Sequence, residues 1–270
     1  MLGKLLKYDF KSLARLLLPL YGGLLLLGLI TGFMLPVTDS SENTFVAIAL
    51  TILVILLVIL TVASFVITLI MVIKRFHKNL FADEAYLTLS LPVSSEELLL
   101  SKTISSFAFY LLGTLCAGMT YVILIITVAA RSEGLPSKEQ LHYFWNEVMS
   151  HITAEGWTLF WLFILLCLIQ IVAKCLKIFL AILLGHTAND HRILFSFLWW
   201  IGLTIGESFI SRLLTYFSLD TTNIYITTVS NDFVGVTSPL VIGSIIVYVV
   251  LIAVYFVAGN FILKRKTNLA

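Results

Sequence analysis

Six apolar stretches alternate with polar ones along the chain, near residues 16–35, 45–73, 104–130, 157–184, 193–217 and 239–263. Each is about 20 residues or longer, the length a helix needs to cross about 30 Å of hydrocarbon. The pattern predicts an all-α membrane protein of six transmembrane helices, organised as one transmembrane domain over residues 1–270. The polar stretch between the second and third runs, residues 74–103, holds Lys74, Arg75, Lys78, Asp83, Glu84, Glu96, Glu97 and Lys102. Such charges lose their hydration in hydrocarbon, so this loop is expected to project into water. At the N-terminus, residues 1–15 place Lys4, Lys7, Lys11 and Arg15 on one side of a helix, with Leu2, Leu5, Leu6 and Leu13 largely opposite. Two readings fit: an amphipathic helix lying on an anionic membrane surface, or a positive flank of the first span. The outer loop, residues 131–156, is acidic, and its apolar spacing suits a short surface helix acting as an interfacial cap or a gate.

Composition narrows the class. The chain has 270 residues, of which 60% are hydrophobic and 12% charged. Soluble domains carry about 25% charged residues, so an ordinary soluble fold is excluded. The net charge of +2 gives no reason to expect nucleic-acid binding. Its distribution is more informative. An even number of spans returns both termini to one side, and that side holds Lys4, Lys7, Lys11, Arg15, Lys74, Arg75, Lys78, Lys102, Lys174, Lys177, Arg192, Lys264, Arg265 and Lys266. The other side holds Arg131, Lys138 and Arg212, so both termini and the loop at 74–103 are expected in the cytoplasm. Cys116, Cys167 and Cys175 all fall inside apolar runs, where a cysteine packs as a small hydrophobe.

Few residues are candidates for chemistry. No G-x-x-x-x-G-K-[ST] phosphate loop occurs, so the chain is not expected to hydrolyse ATP itself. No H-E-x-x-H occurs, and Gly206-Glu207-Ser208 is not a glycine-serine-glycine nucleophile turn. The acidic pair Glu96-Glu97 lacks the arginine that a prenyl-protein protease pattern wants four residues later. His186, Asp190 and His191 lie around one polar turn and could bind a metal, though turn composition also accounts for them; His77, His142 and His151 are scattered singly. No metal site and no catalytic set is expected. Glu207 is the one acidic residue well inside a span, which costs about 2.5 to 3.5 kcal/mol on insertion scales. It is therefore expected to face protein or water, as a translocation-path group or a structural interhelical bond, with Arg212 an imperfect partner. Gly28 and Gly32, and Gly202 and Gly206, form two G-x-x-x-G pairs that let another backbone approach closely, either within the chain or across a dimer.

The segment Arg75-Phe76-His77-Lys78-Asn79-Leu80-Phe81-Ala82-Asp83-Glu84-Ala85-Tyr86-Leu87-Thr88-Leu89-Ser90-Leu91-Pro92-Val93, with Leu100-Ser101-Lys102 after it, resembles the loop of small bacterial ABC-2-type transporter permeases. The resemblance covers about thirty residues and implies a type V exporter-like permease fold with an N-terminal amphipathic helix. It also implies a second permease subunit, identical or paralogous, and a separate cytoplasmic ABC ATPase that binds the ATP and magnesium. The loop would then contain a coupling helix in which Phe81, Ala82, Asp83, Glu84, Tyr86 and Leu87 dock on the ATPase, anchors and charges suited to an apolar groove with a basic rim. The first and fifth spans would meet the second permease, placing Gly28, Gly32, Gly202 and Gly206 at that interface. The function implied is export of an amphipathic, peptide, drug or lipid-like substrate across a bacterial cell membrane. From the residues alone, an ion-coupled transporter or channel using Glu207 stays open as the alternative.

Overall fold

A computed structural model describes residues 2–34, 44–81, 94–132, 143, 146, 154–187, 191–222 and 238–267. Nearly all of these are helical. Six helices follow one another: α1 (Leu2–Met34), α2 (Thr44–Phe81), α3 (Ser95–Ser132), α4 (Ala154–Gly185), α5 (Arg192–Thr222) and α6 (Ser238–Thr267). Each contains a stretch long and apolar enough to cross a membrane, and no strand occurs among the described residues. The chain is a helical, multi-pass membrane protein.

The helices outrun the apolar stretches. α1 continues unbroken from the basic segment through Arg15 and Pro19, for 33 residues in all. α2 extends eight residues past Ile73, and α3 begins nine residues before Ile104. Hydropathy falls at those points but helix propensity does not, because Lys, Arg, Glu and Leu all favour helix. The start of α3 has a local cause. Ser94 accepts a hydrogen bond from the Glu97 backbone N–H at 3.2 Å, and Glu96 and Glu97 sit in the first turn, where the helix dipole favours carboxylates.

The chain divides into two compact units. The first takes in Gly3–Arg75 and Ile104–Ile152. In α1 the buried positions are Asp9, Leu13, Leu17, Tyr21, Leu24, Gly28, Thr31 and Gly32, a stripe at three- and four-residue spacing running most of the helix length. Leu13, Leu17, Tyr21 and Phe109 form its core, with Ile67, Met71 and Cys116 packed alongside. The Tyr21 hydroxyl is 2.8 Å from Thr68 Oγ1 and 3.1 Å from the Phe109 carbonyl, so one phenol, its single hydrogen open to either acceptor, sits against both α2 and α3. Close approach comes from small residues. A Cβ on Gly28 would collide with Thr120, one on Gly32 with Thr127, and one on Gly113 with the Tyr21 ring. Buried Thr61, Thr68 and Thr120 donate to the carbonyl four residues back, which satisfies their hydroxyls inside their own helices.

The second unit takes in Phe76–Thr103 and Thr153–Ala270. There α4 packs along α5 and α6. From Cys175 to Leu183 every residue of α4 is buried, including Lys177, so this end of α4 is the centre of the unit. Gly185 closes the helix against α5, where a side chain would run into the backbone of Ser196. Gly259 of α6 lies against Leu99 and Leu183. By contrast, no residue of α5 between Arg192 and Leu213 is fully buried.

Candidate functional site

Two places concentrate polar groups. The first is the pair of roots from which the loop between α2 and α3 springs. On the α2 side, Arg75 Nε donates to Asp9 Oδ1 at 2.9 Å and its Nη2 to the Tyr8 carbonyl at 3.1 Å. Asp9 is only 2% exposed, so this is a buried carboxylate held by a guanidinium. One residue on, Phe76 stacks on Phe179 of α4 with ring centroids 4.2 Å apart and planes 11° from parallel. His77 then meets His186, just past the end of α4, with Nε2 to Nε2 at 3.2 Å. On the α3 side, Ser95 Oγ donates to Asn260 Oδ1 at 2.7 Å, and Glu96 Oε1 accepts from Asn260 Nδ2 and from Lys264 Nζ, each at 2.9 Å. Ser101, Lys102 and Thr103 are buried within α3. Lys102, expected to project into water as the last charge of the loop, is thus a helix residue packed against protein.

From Phe76 onward both roots are fastened within the second unit, the α2 root to α4 and the α3 root to α6, while Arg75 and Asp9 pair within the first. Phe81 closes α2, and its side chain, like all of Ala82, Asp83, Glu84, Tyr86 and Leu87, lies outside the described residues. The same holds for Pro92, for Asp190 and for nearly all of the outer loop.

The second place is Glu207. Its carboxylate accepts from Lys177 Nζ at 2.5 Å, with the two side chains 13% and 9% exposed. The cation comes from α4, while Arg212, one and a half turns along α5, is exposed. On the α6 side Tyr248 and Tyr255 lie close enough to the same carboxylate to feel its charge. Lys177, taken from the charge pattern as part of a basic loop flank, is instead the interior counter-charge of Glu207. A buried ammonium persists because the carboxylate compensates its lost hydration.

The glycine pairs differ. Gly28 and Gly32 face Thr120 and Thr127 of α3 in the same chain, whereas among the described residues nothing lies within 4 Å of a Cβ built on Gly202 or Gly206. Among the described residues, no group of three or more His, Cys, Asp and Glu is close enough to hold a metal ion.

Sequence reasoning missed Asp9, Lys177 as the partner of Glu207, and the meeting of His77 with His186. For Asp9 there was a signal. It sits four residues before Leu13, in register with the apolar stripe and opposite the lysines. No protein-family model matches the chain, and neither a curated protein nor a solved structure matches it.

Proposed function

We propose that this chain is the membrane-spanning permease subunit of an ATP-driven ABC-2-type exporter, energised by a separate cytoplasmic ATPase that docks on the loop between α2 and α3. The observation that carries the reading is the anchoring of that loop. Its sequence from Arg75 to Val93 resembles an ATPase-coupling loop, and its two roots are tied to α4 and α6 by a ring stack, hydrogen bonds and an ion pair. A push on a loop held in this way displaces packed helices rather than a slack linker, which is the mechanical requirement for coupling nucleotide-driven closure to an opening in the membrane. Phe81, Tyr86 and Leu87 supply apolar anchors for the ATPase groove, Asp83 and Glu84 meet its basic rim, and ATP and magnesium belong to the ATPase.

A second permease copy or paralogue meets this chain along α5, whose Gly202 and Gly206 touch nothing among the described residues and lie beside exposed Trp199, Ile205 and Phe209. Gly28 and Gly32 already pack against α3, which leaves α5 as the face for a second subunit. The substrate is amphipathic or lipid-like, since the spans offer few polar groups to a hydrophilic solute. Both termini face the cytoplasm of a bacterial cell, following the basic residues. The ion-coupled alternative drew on a carboxylate lacking a good cation nearby, and Lys177 supplies that cation.

The test is copurification of the tagged chain from its own membranes in mild detergent, beside a variant carrying Phe81→Ala, Asp83→Ala and Tyr86→Ala. An ATPase that accompanies the wild type and is lost from a normally inserted variant is the expected result. Absence of any ATPase across several detergents, with transport sustained by an ion gradient alone, would overturn the reading.

A further inference from the structure

We propose that His77 and His186 form a two-imidazole binding site for a divalent ion of the late first row, Zn²⁺ foremost, stapling the end of α2 to the end of α4. The two residues are 109 positions apart, and the fold brings their Nε2 atoms to 3.2 Å.

Two features separate this arrangement from an incidental contact of rings. The first is the tautomer. His186 Nδ1 lies 2.9 Å from the Ile182 carbonyl, which can only accept, so the hydrogen of the neutral ring is on Nδ1. Nε2 of His186 therefore presents its lone pair towards His77. An outer ring nitrogen held by a backbone carbonyl is the usual support of a metal-ligating histidine.

The second feature is the angle of approach. Two imidazoles bound to one tetrahedral ion at about 2.05 Å would have nitrogens about 3.3 Å apart and ring centroids about 5.2 Å apart. A straight N–H···N hydrogen bond of 3.2 Å would instead set the centroids about 5.5 Å apart, since each nitrogen is about 1.15 Å from its ring centre. The rings stand at 5.0 Å with planes 59° apart, on the convergent side of that comparison.

The surroundings suit a stable but reachable site. His186 is 7% exposed and its own N–H is bonded to the Ile182 carbonyl at 3.1 Å, while the Phe76–Phe179 stack holds the neighbouring residue of α2 against α4. His77 is half-buried, which leaves a way in from water. Imidazole favours zinc, copper and nickel over magnesium and calcium. Two imidazoles among the described residues place binding in the micromolar range. The inference is independent of what the chain transports.

The experiment uses the full chain in detergent, stripped by chelator and dialysed against Zn²⁺, with bound metal measured by elemental analysis. One Zn²⁺ per chain is expected, with affinity falling about tenfold or more in His77→Gln and in His186→Gln and unchanged in His191→Gln. Equal binding by wild type and both variants, or none by the wild type up to about 1 mM, means a plain hydrogen bond between the rings and overturns the proposal. Should the variants not fold, Cu²⁺ bound to the wild type is read by electron paramagnetic resonance. Coupling to two imidazole nitrogens supports the site, and coupling to one or none rejects it.

Discussion

At the scale of single residues, the ion pair of Lys177 and Glu207 has the sharpest consequences. Removing one charge strands the other inside the helices, so Glu207→Gln and Lys177→Met are each expected to lower stability by about 3 to 5 kcal/mol. The double variant removes both charges together and should fall within about 1 to 2 kcal/mol of wild type. Unfolding followed in detergent for the four proteins of this cycle checks it, and losses that simply add would show that the two groups do not interact. If the double variant folds yet no longer transports, Glu207 or Lys177 has a part in translocation beyond holding the helices together. Tyr21 offers a milder case. Tyr21→Phe deletes the contacts with Thr68 and the Phe109 carbonyl, and such bonds within membranes are worth about 0.6 kcal/mol on average and about 1.7 at most.

Among elements, the two glycine pairs predict opposite behaviour. Gly28→Val and Gly32→Val put a branched side chain where α3 already places Thr120 and Thr127, so both should lower the yield of folded protein. Gly202→Val and Gly206→Val meet no atom of the described residues, and folding should be normal. Their effect is expected on association between copies of the chain, read by crosslinking or light scattering; unchanged association would remove α5 from the proposed interface. Ser94→Ala removes the cap of α3 at a cost of about 1 kcal/mol, seen as faster amide exchange at Glu97 and Leu98. The existence and order of all six helices could be read from the sequence, because a run of twenty apolar residues leaves little alternative to a helix. Their ends could not. Lys74, Arg75 and Lys78 stop the hydrophobic run without stopping the helix, so α2 carries His77 further than hydropathy alone indicates. Lys102 misleads in the same way, being charged and yet buried in α3.

For the whole molecule, what local pattern cannot supply is the pairing of distant positions. Asp9 with Arg75 spans 66 residues, His77 with His186 spans 109, and Glu96 with Lys264 spans 168. Periodicity shows which face of a helix is apolar, but which helix covers that face depends on packing along the entire chain. Orientation, on the other hand, can be tested directly from the charge pattern. A single cysteine introduced at Asn268 should be labelled only after permeabilisation of cells, and one at Ser137 from outside. The reverse result would invert the topology on which the proposed ATPase docking depends.

The exposure of α5, together with the interior position of its carboxylate, bears on how the protein is made. α5 is the least apolar of the six spans, and Glu207 raises the cost of its passage from translocon to lipid. Lys177 lies thirty positions earlier, in a helix that leaves the ribosome first. Efficient insertion of α5 therefore requires α4 to linger at the lateral gate until the carboxylate arrives, so biogenesis proceeds by hairpin rather than helix by helix. In a glycosylation-mapping assay, α5 alone should insert poorly, α4 and α5 together should insert well, and Lys177→Leu should return the hairpin towards the poor yield of the single span.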